Sequence, residues 1–229
     1  MPSLLPLRLL AGILVCLLGG VLPAAALAGE TTLEQRLSSW PSWSLPAPLP
    51  RPARNDLIYP EWFAGQWQAT SHDPSGRDPD LHYTVRFGRD ARGRVVGDRA
   101  FNATAIGHAL LGAQLLEVRN DPRNPNRQLA ALQGDQALES TVVGRRSERP
   151  ADAEFLADEL ALQVLHGPGD PRVSRVETLS RYRQIAPGRI EADQWQASYG
   201  SPAQGLSATA ERSWRGSLLL ERSDQERPT

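Results

Sequence analysis

The chain has 229 residues, a formal charge of −1 at pH 7 and a single cysteine. A near-neutral balance argues against nucleic acid as a partner, and one cysteine provides neither a disulfide framework nor a thiolate metal centre. All 25 basic side chains are Arg, which together with abundant Ala, Pro and Gly reads as the product of GC-rich coding.

Residues 1–28 read as an export signal. Arg8 supplies the positive n-region, Leu9 to Leu22 is apolar apart from glycines and Cys16, and Ala26-Leu27-Ala28 is a small-x-small cleavage site before Gly29. The apolar run is short for a span and ends in Pro23 and alanines, which favours cleavage over a retained anchor. Val15 precedes Cys16, which speaks against lipoprotein processing there. Cleavage after Ala28 leaves a chain without cysteine and without a transmembrane segment.

Residues 29–55 form a proline-rich leader that runs through Trp40-Pro41-Ser42-Trp43 to Arg51-Pro52. Prolines lock φ and remove donors, so an extended spacer is expected here and no strand of a sheet. Residues 32–37 suit one short helical turn. Trp40 and Trp43 either anchor the leader or ride on a mobile segment.

Residues 56–223 read as one β domain, followed by a polar tail over 224–229. Strands are expected from Gly65 onward. Tyr83, Val85 and Phe87 alternate with His82, Thr84 and Arg86, the pattern of a half-buried strand. Asp90-Ala91-Arg92-Gly93 reads as a hairpin turn, with a return strand over Val95–Phe101. Residues 103–111 are helical by spacing, and 114–120 are a strand. Residues 121–126 form a tight loop rich in Asn and Pro. A hairpin turns at Gly134-Asp135. Residues 152–165 carry apolar side chains at helical spacing, with Pro150 before and Gly167 after, and predict a helix. Strands resume over 172–185, turn at Pro187-Gly188, return through 189–199 and end with 208–222. About nine short strands in one domain suit a single antiparallel meander barrel with one or two short helices.

Gly65-Gln66-Trp67, opening the first strand of an all-β chain, resembles the start of the lipocalin-type (calycin) barrels. That resemblance implies that Trp67 plugs the barrel end, that Gly65 permits close backbone approach, and that a last-strand Arg lies across the indole. Arg212 and Arg222 share the parity of that strand with Trp214, Gly216, Leu218 and Leu220, and either qualifies. Several longer stretches resemble an uncharacterised family of cyanobacteria and plastids: Tyr59–Trp67, Asp98-Arg99-Ala100-Phe101-Asn102, residues 121–128, Glu177-Thr178 and 187–194. This second resemblance implies export to the thylakoid lumen or periplasm and brings no established activity.

Candidate chemistry is sparse. His72, Asp73, Asp78, Asp80 and His82 have metal-ligating atoms but no standard spacing, and Pro74-Ser75-Gly76 marks a polar turn. No nucleophile elbow is present, so no catalytic residue, metal or cofactor is assigned. His108 reads as a packed helix residue, His166 as a helix-end residue, and Glu191 with Asp193 as a solvated strand face. Asn102-Ala103-Thr104 is a sequon in form only.

The function expected is an exported lipocalin-like protein that binds a small hydrophobic molecule, such as a pigment, quinone or lipid. Tyr83, Val85, Phe101 and Tyr182 would line the interior, with Arg99, Arg127 and Glu177 at a pocket mouth holding a polar head group. The same charged residues, with Asp98, also read as a structural ion-pair network. An accessory or assembly factor of a photosynthetic membrane complex, docking through Trp40 and Trp43, is the alternative. An isomerase or de-epoxidase-like enzyme on the same barrel would need a carboxylate or Tyr facing a closed cavity, and activity of this kind is not favoured.

Overall fold

The structure is a computed structural model and describes residues 32–223. The export segment and the polar tail lie outside the described residues. The described residues form helix α1 (Leu33–Ser38), twelve strands and helix α2 (Arg99–Leu111). The strands are β1 (Ser44–Leu45), β2 (Gly65–His72), β3 (Leu81–Arg89), β4 (Val95–Gly97), β5 (Leu115–Asp121) and β6 (Asn124–Leu132). They continue with β7 (Gln136–Ala151), β8 (Glu154–Gly167), β9 (Gly169–Ala186), β10 (Arg189–Tyr199), β11 (Ala208–Thr209) and β12 (Arg212–Arg222).

Ten strands make one antiparallel sheet in the order β4-β3-β2-β12-β10-β9-β8-β7-β6-β5, curled into a half-barrel. Hairpins connect β5 through β10, and β12 then joins the meander to β2. Gly134 and Asp135 both take positive φ (74° and 54°) in the tight turn between β6 and β7, the handedness that matches strand twist.

The sheet does not close on itself. Helix α2 spans the gap and packs against both β3 and β5. Strand β4 pairs with β3 for only three residues, and the chain then turns into α2. Buried Asn102 completes the exposed edge of β3. Its Oδ1 accepts from the Arg86 backbone N–H at 2.7 Å, and its Nδ2 donates to the Arg86 carbonyl at 3.0 Å. At the other edge a Cβ on Gly107 would lie 2.6 Å from Leu115 Cδ2, so glycine lets the helix approach β5.

The concave face buries an aromatic cluster at the β2–β3–β12 end. Tyr59, Phe63, Phe87, Phe155 and Tyr182 lie with ring centroids 4.8–6.3 Å apart. Trp67 donates its indole N–H to the Phe63 carbonyl at 2.7 Å. The Arg222 guanidinium lies 4.5 Å over the Trp67 ring and donates to the Ala64 carbonyl at 2.8 Å. Gly65 has φ +114°, and a Cβ there would meet Arg222 Nη1 at 2.6 Å, so both backbone and space require glycine.

The leader is part of the fold. On the convex face Leu33, Trp43 and Leu45 bury against Leu156, Leu179, Ala197 and Tyr199. Strand β1 pairs with β11, so the expectation of a spacer with no strand is corrected. The helix expected over 152–165 is strand β8. Its first half is buried on both faces, Phe155 and Ala157 inward, Leu156 and Asp158 beneath the leader, and two buried faces imitate helical spacing. The return strand expected over Val95–Phe101 ends at Gly97, because Asp98 caps α2 by accepting from the Phe101 N–H at 3.3 Å. The loop expected over 121–126 narrows to Pro122-Arg123, and the final strand is broken between Thr209 and Arg212.

Replacing Asn102 by Ala opens a gap at a buried position and leaves the part-buried Arg86 N–H unpaired, while the Arg86 carbonyl keeps the Asp98 N–H at 2.9 Å. We expect a loss of about 2–3 kcal/mol in urea unfolding, and a loss below about 0.5 kcal/mol would show that α2 does not hold the β3 edge.

Candidate functional site

Alternation gives strands β6–β10 a concave face, and in the middle of the sheet that face is polar and buried. Gln128, Ser140 and Gln163 form one cross-strand row. Arg145, Glu159, Thr178 and Gln196 form a second, and Ser180 with Gln194 a third. Gln194 donates to Ser180 Oγ at 3.2 Å and Gln196 to Thr178 Oγ1 at 3.1 Å. Beside them the half-buried Trp214 ring folds over Gly216, where a Cβ would come within 2.2 Å of the indole. Amides and hydroxyls buried in the floor of a curled sheet can accept from and donate to a ligand with hydrogen-bonding groups.

The second row ends in charge. Arg145 Nε donates to Glu159 Oε1 at 2.5 Å and its Nη1 to the Asn55 carbonyl at 3.1 Å. Arg99, from the first turn of α2, donates from Nη1 to Asp56 at 3.2 Å. Burial pushes the Glu159 carboxyl up to about 7, against the opposing pull of Arg145 and Arg99. Burial also draws the Arg99 guanidinium down to about 10.

The convex face holds a second buried cluster, under α1. Arg36 donates to Glu177 from Nε at 2.7 Å and Nη2 at 2.6 Å, and Tyr199 donates its hydroxyl to the same carboxylate at 2.5 Å. Asp158 is fully buried close by, and burial, then the Glu177 charge, holds its carboxyl well above the usual range. Burial and Glu177 likewise push the Tyr199 hydroxyl up.

The residues expected to line one pocket are distributed over three places. Tyr83, Val85 and Tyr182 share the aromatic end of the concave face. Phe101 lies under the Arg86 guanidinium at 4.4 Å, half-buried outside that core. Glu177 lies on the opposite face of the sheet, bound to Arg36. Arg127 pairs with Asp121 and Glu139 near solvent. The charged residues read as one network separate into distinct pairs: Asp98 with Arg86, Arg99 with Asp56, and Glu177 with Arg36. Arg222 reaches Trp67, whereas Arg212 is exposed at the far end of β12, opposite Ser198. His108 is exposed and its Nδ1 faces the Gly112 carbonyl, and His166 ends a strand, so neither packs as expected. His72 meets Asp80 at 2.6 Å at the surface, while Asp73 accepts from Ser75. Among the described residues no three His, Cys, Asp or Glu side chains converge on a metal position. Trp43 is buried, and of the two leader tryptophans only Trp40 keeps exposed surface.

Arg145, Glu159, Thr178, Ser180, Gln194 and Gln196 were not singled out by sequence. Their signal was available: Ser180 and Gln194 share the parity of the apolar residues Tyr182 and Ala192, and Thr178 and Gln196 continue the same inward parity.

An apolar cavity lies between α2 and strands β5–β7, lined by Ile106, Leu110, Leu115, Ala130, Leu132 and Leu138. Its volume of about 20 Å³ is room for a single water-sized sphere.

Together these features define an antiparallel half-barrel with a polar, partly charged floor. Residues 75–214 match the family model described as "Domain of unknown function (DUF6816)", and the chain belongs to that family. The search of curated proteins and the search of solved structures each return no match.

Two outcomes follow from the buried charges. Arg36→Met leaves Glu177 buried without its cation, and we expect a loss of about 3–5 kcal/mol in chemical denaturation, with part recovered when Glu177→Gln is added. Glu159 binds its proton more tightly when folded than at its ordinary value of 4.5. Its contribution is therefore complete below pH 4.5, falls as pH rises toward 7, and is flat above. Glu159→Gln should remove about 3 kcal/mol of that decline, read as unfolding free energy against pH. An unchanged slope in the variant would show that Glu159 does not titrate there.

Proposed function

We propose that this protein binds a small amphipathic molecule on the concave face of its half-barrel. The observation that carries this reading is the buried floor of uncharged amides and hydroxyls on β6–β10, set beside an aromatic cluster. A sheet interior that served packing alone would be filled with apolar side chains, because each buried polar group has to recover the hydrogen bonds it gives up to water. The ligand's polar part would take hydrogen bonds from Gln194, Gln196 and Gln163. Its apolar part would lie toward Trp214 and the α2 side.

The small apolar cavity excludes a ring system or long chain from that position in this conformation. Helix α2 joins the two sheet edges through side chains, and only its first turns are held by the Asn102 clamp. Its second half, Ile106 to Leu111, lines the cavity and is the part whose displacement admits a ligand. A lipid, quinone or pigment with a hydrogen-bonding end fits this description. Export to a thylakoid lumen or periplasm is part of the same reading, and it rests on the signal-like sequence of residues 1–28 and on the resemblance of the longer stretches to exported proteins.

Native mass spectrometry of protein purified under gentle extraction tests the proposal. We expect a bound small molecule at one per chain, lost on organic extraction and weakened by Gln194→Leu with Gln196→Leu. Apoprotein alone, with no uptake from a panel of single-chain amphiphiles, would reject it.

A further inference from the structure

The concave face also carries two guanidinium groups with donors to spare. The side chains of Arg99 and Arg145 are 4% and 2% exposed. Arg99 commits Nη1 to Asp56, and its Nε and Nη2 meet no partner among the described residues. Arg145 commits Nε and Nη1, and its Nη2 likewise meets none among the described residues. Buried donors on a charged group are costly to leave unpaired, more so than neutral ones. The two groups are close enough to oppose each other's charge.

The geometry of the free atoms is specific. Nε and Nη2 of one guanidinium point in parallel, and this edge takes two oxygens of a carboxylate or phosphate at once. In Arg99 that whole edge is free, while the existing Asp56 contact uses only Nη1. Arg145 adds a third free donor. The Glu159 carboxyl that pairs with Arg145 has its Oε2 without a donor among the described residues. Asp56 is 32% exposed at its side chain, so this end of the polar row reaches solvent. Arg145 and Glu159 continue directly into Thr178 and Gln196, the floor described above.

We propose that Arg99 and Arg145 form an oxyanion site that holds the carboxylate or phosphate end of an amphipathic ligand, with the free Nε–Nη2 edge of Arg99 making the bidentate contact. This inference rests on the small-molecule reading of the concave face and specifies the ligand's head group. Glu159 belongs to the site as well: in its protonated form Oε2 donates to the oxyanion and does not repel it. Asp56 stays on Nη1 of Arg99 and offsets part of the charge of the site.

Isothermal titration of the purified protein with 1-decanol, decanoate, decyl phosphate and inorganic phosphate tests this. In the wild type the two anionic amphiphiles should bind about ten-fold or more tightly than the alcohol. Arg99→Gln should bring the three within about two-fold, while Arg99→Lys, which keeps charge but not the fork, keeps part of the preference. Circular dichroism and a melting curve confirm folding of each variant, and Arg145→Gln replaces Arg99→Gln if the latter does not fold. Decanol binding as tightly as the anions, or an anion preference that survives both variants, would overturn the oxyanion site and leave the small-molecule reading standing. Phosphate binding that depends on Arg99, without binding of any amphiphile, would support the oxyanion site and reject the amphipathic ligand. Binding of none of the four would remove both.

Discussion

Glu177 sits in the middle of the longest strand, fully buried, and a carboxylate there is tolerated only with a cation against it. The cation is Arg36, which comes from the leader and approaches with two hydrogen bonds. That pairing obliges residues 32–45 to lie along the convex face of β8–β10. Leu33, Trp43 and Leu45 then have a surface to bury against, and β1 has β11 to pair with. The central strands are thereby shielded from water on their convex side. The leader thus acts as the outer layer of a two-sided sheet, a second layer that an isolated curled sheet lacks.

The concave side is shaped by a different constraint, the missing ladder between β4 and β5. A helix cannot offer a strand edge the row of donors and acceptors it needs, so Asn102 supplies one pair and side-chain packing supplies the rest. Closure by packing is weaker and more local than closure by hydrogen bonds. The half of α2 beyond the clamp is held to β5 by side-chain packing alone. At the opposite end the aromatic cluster and the Arg222–Trp67 contact fill the interior and leave it rigid. The molecule has one end filled by aromatic side chains, one end closed by a helix and a polar floor between them.

Much of the sheet was legible in the chain. Alternation at Tyr83, Val85 and Phe87 marks β3, and Gly134-Asp135 marks the tight turn of the β6–β7 hairpin, because each is a local property of backbone and pattern. Residues 152–165 misled for an equally physical reason. A strand buried on both faces loses its alternation, and burial on the outer face depends on a leader more than a hundred residues away in sequence. The candidate site was less visible. Glu177 and Arg99 were recognised as charges that need partners, but their partners are Arg36, in the leader, and Asp56, just after it, and the two pairs lie on opposite faces of the sheet. Arg145 was passed over because a charged residue on a strand looks solvated until the strand's two faces are known, and Glu159 because its segment read as a helix.

The sequence by itself determined that the chain is mainly β, that its strands run as an antiparallel meander, and where most of the turns fall. These follow from periodicity and turn chemistry, which act over a few residues. Only the tertiary structure decided which of two last-strand arginines reaches Trp67, since Arg222 lies opposite Trp67 in the ladder and Arg212 lies opposite Ser198. It also decided that the leader is a structural layer and that buried polar side chains from five strands meet on one floor. Register, curvature and burial are set by contacts between segments far apart in the chain, and no local pattern encodes them.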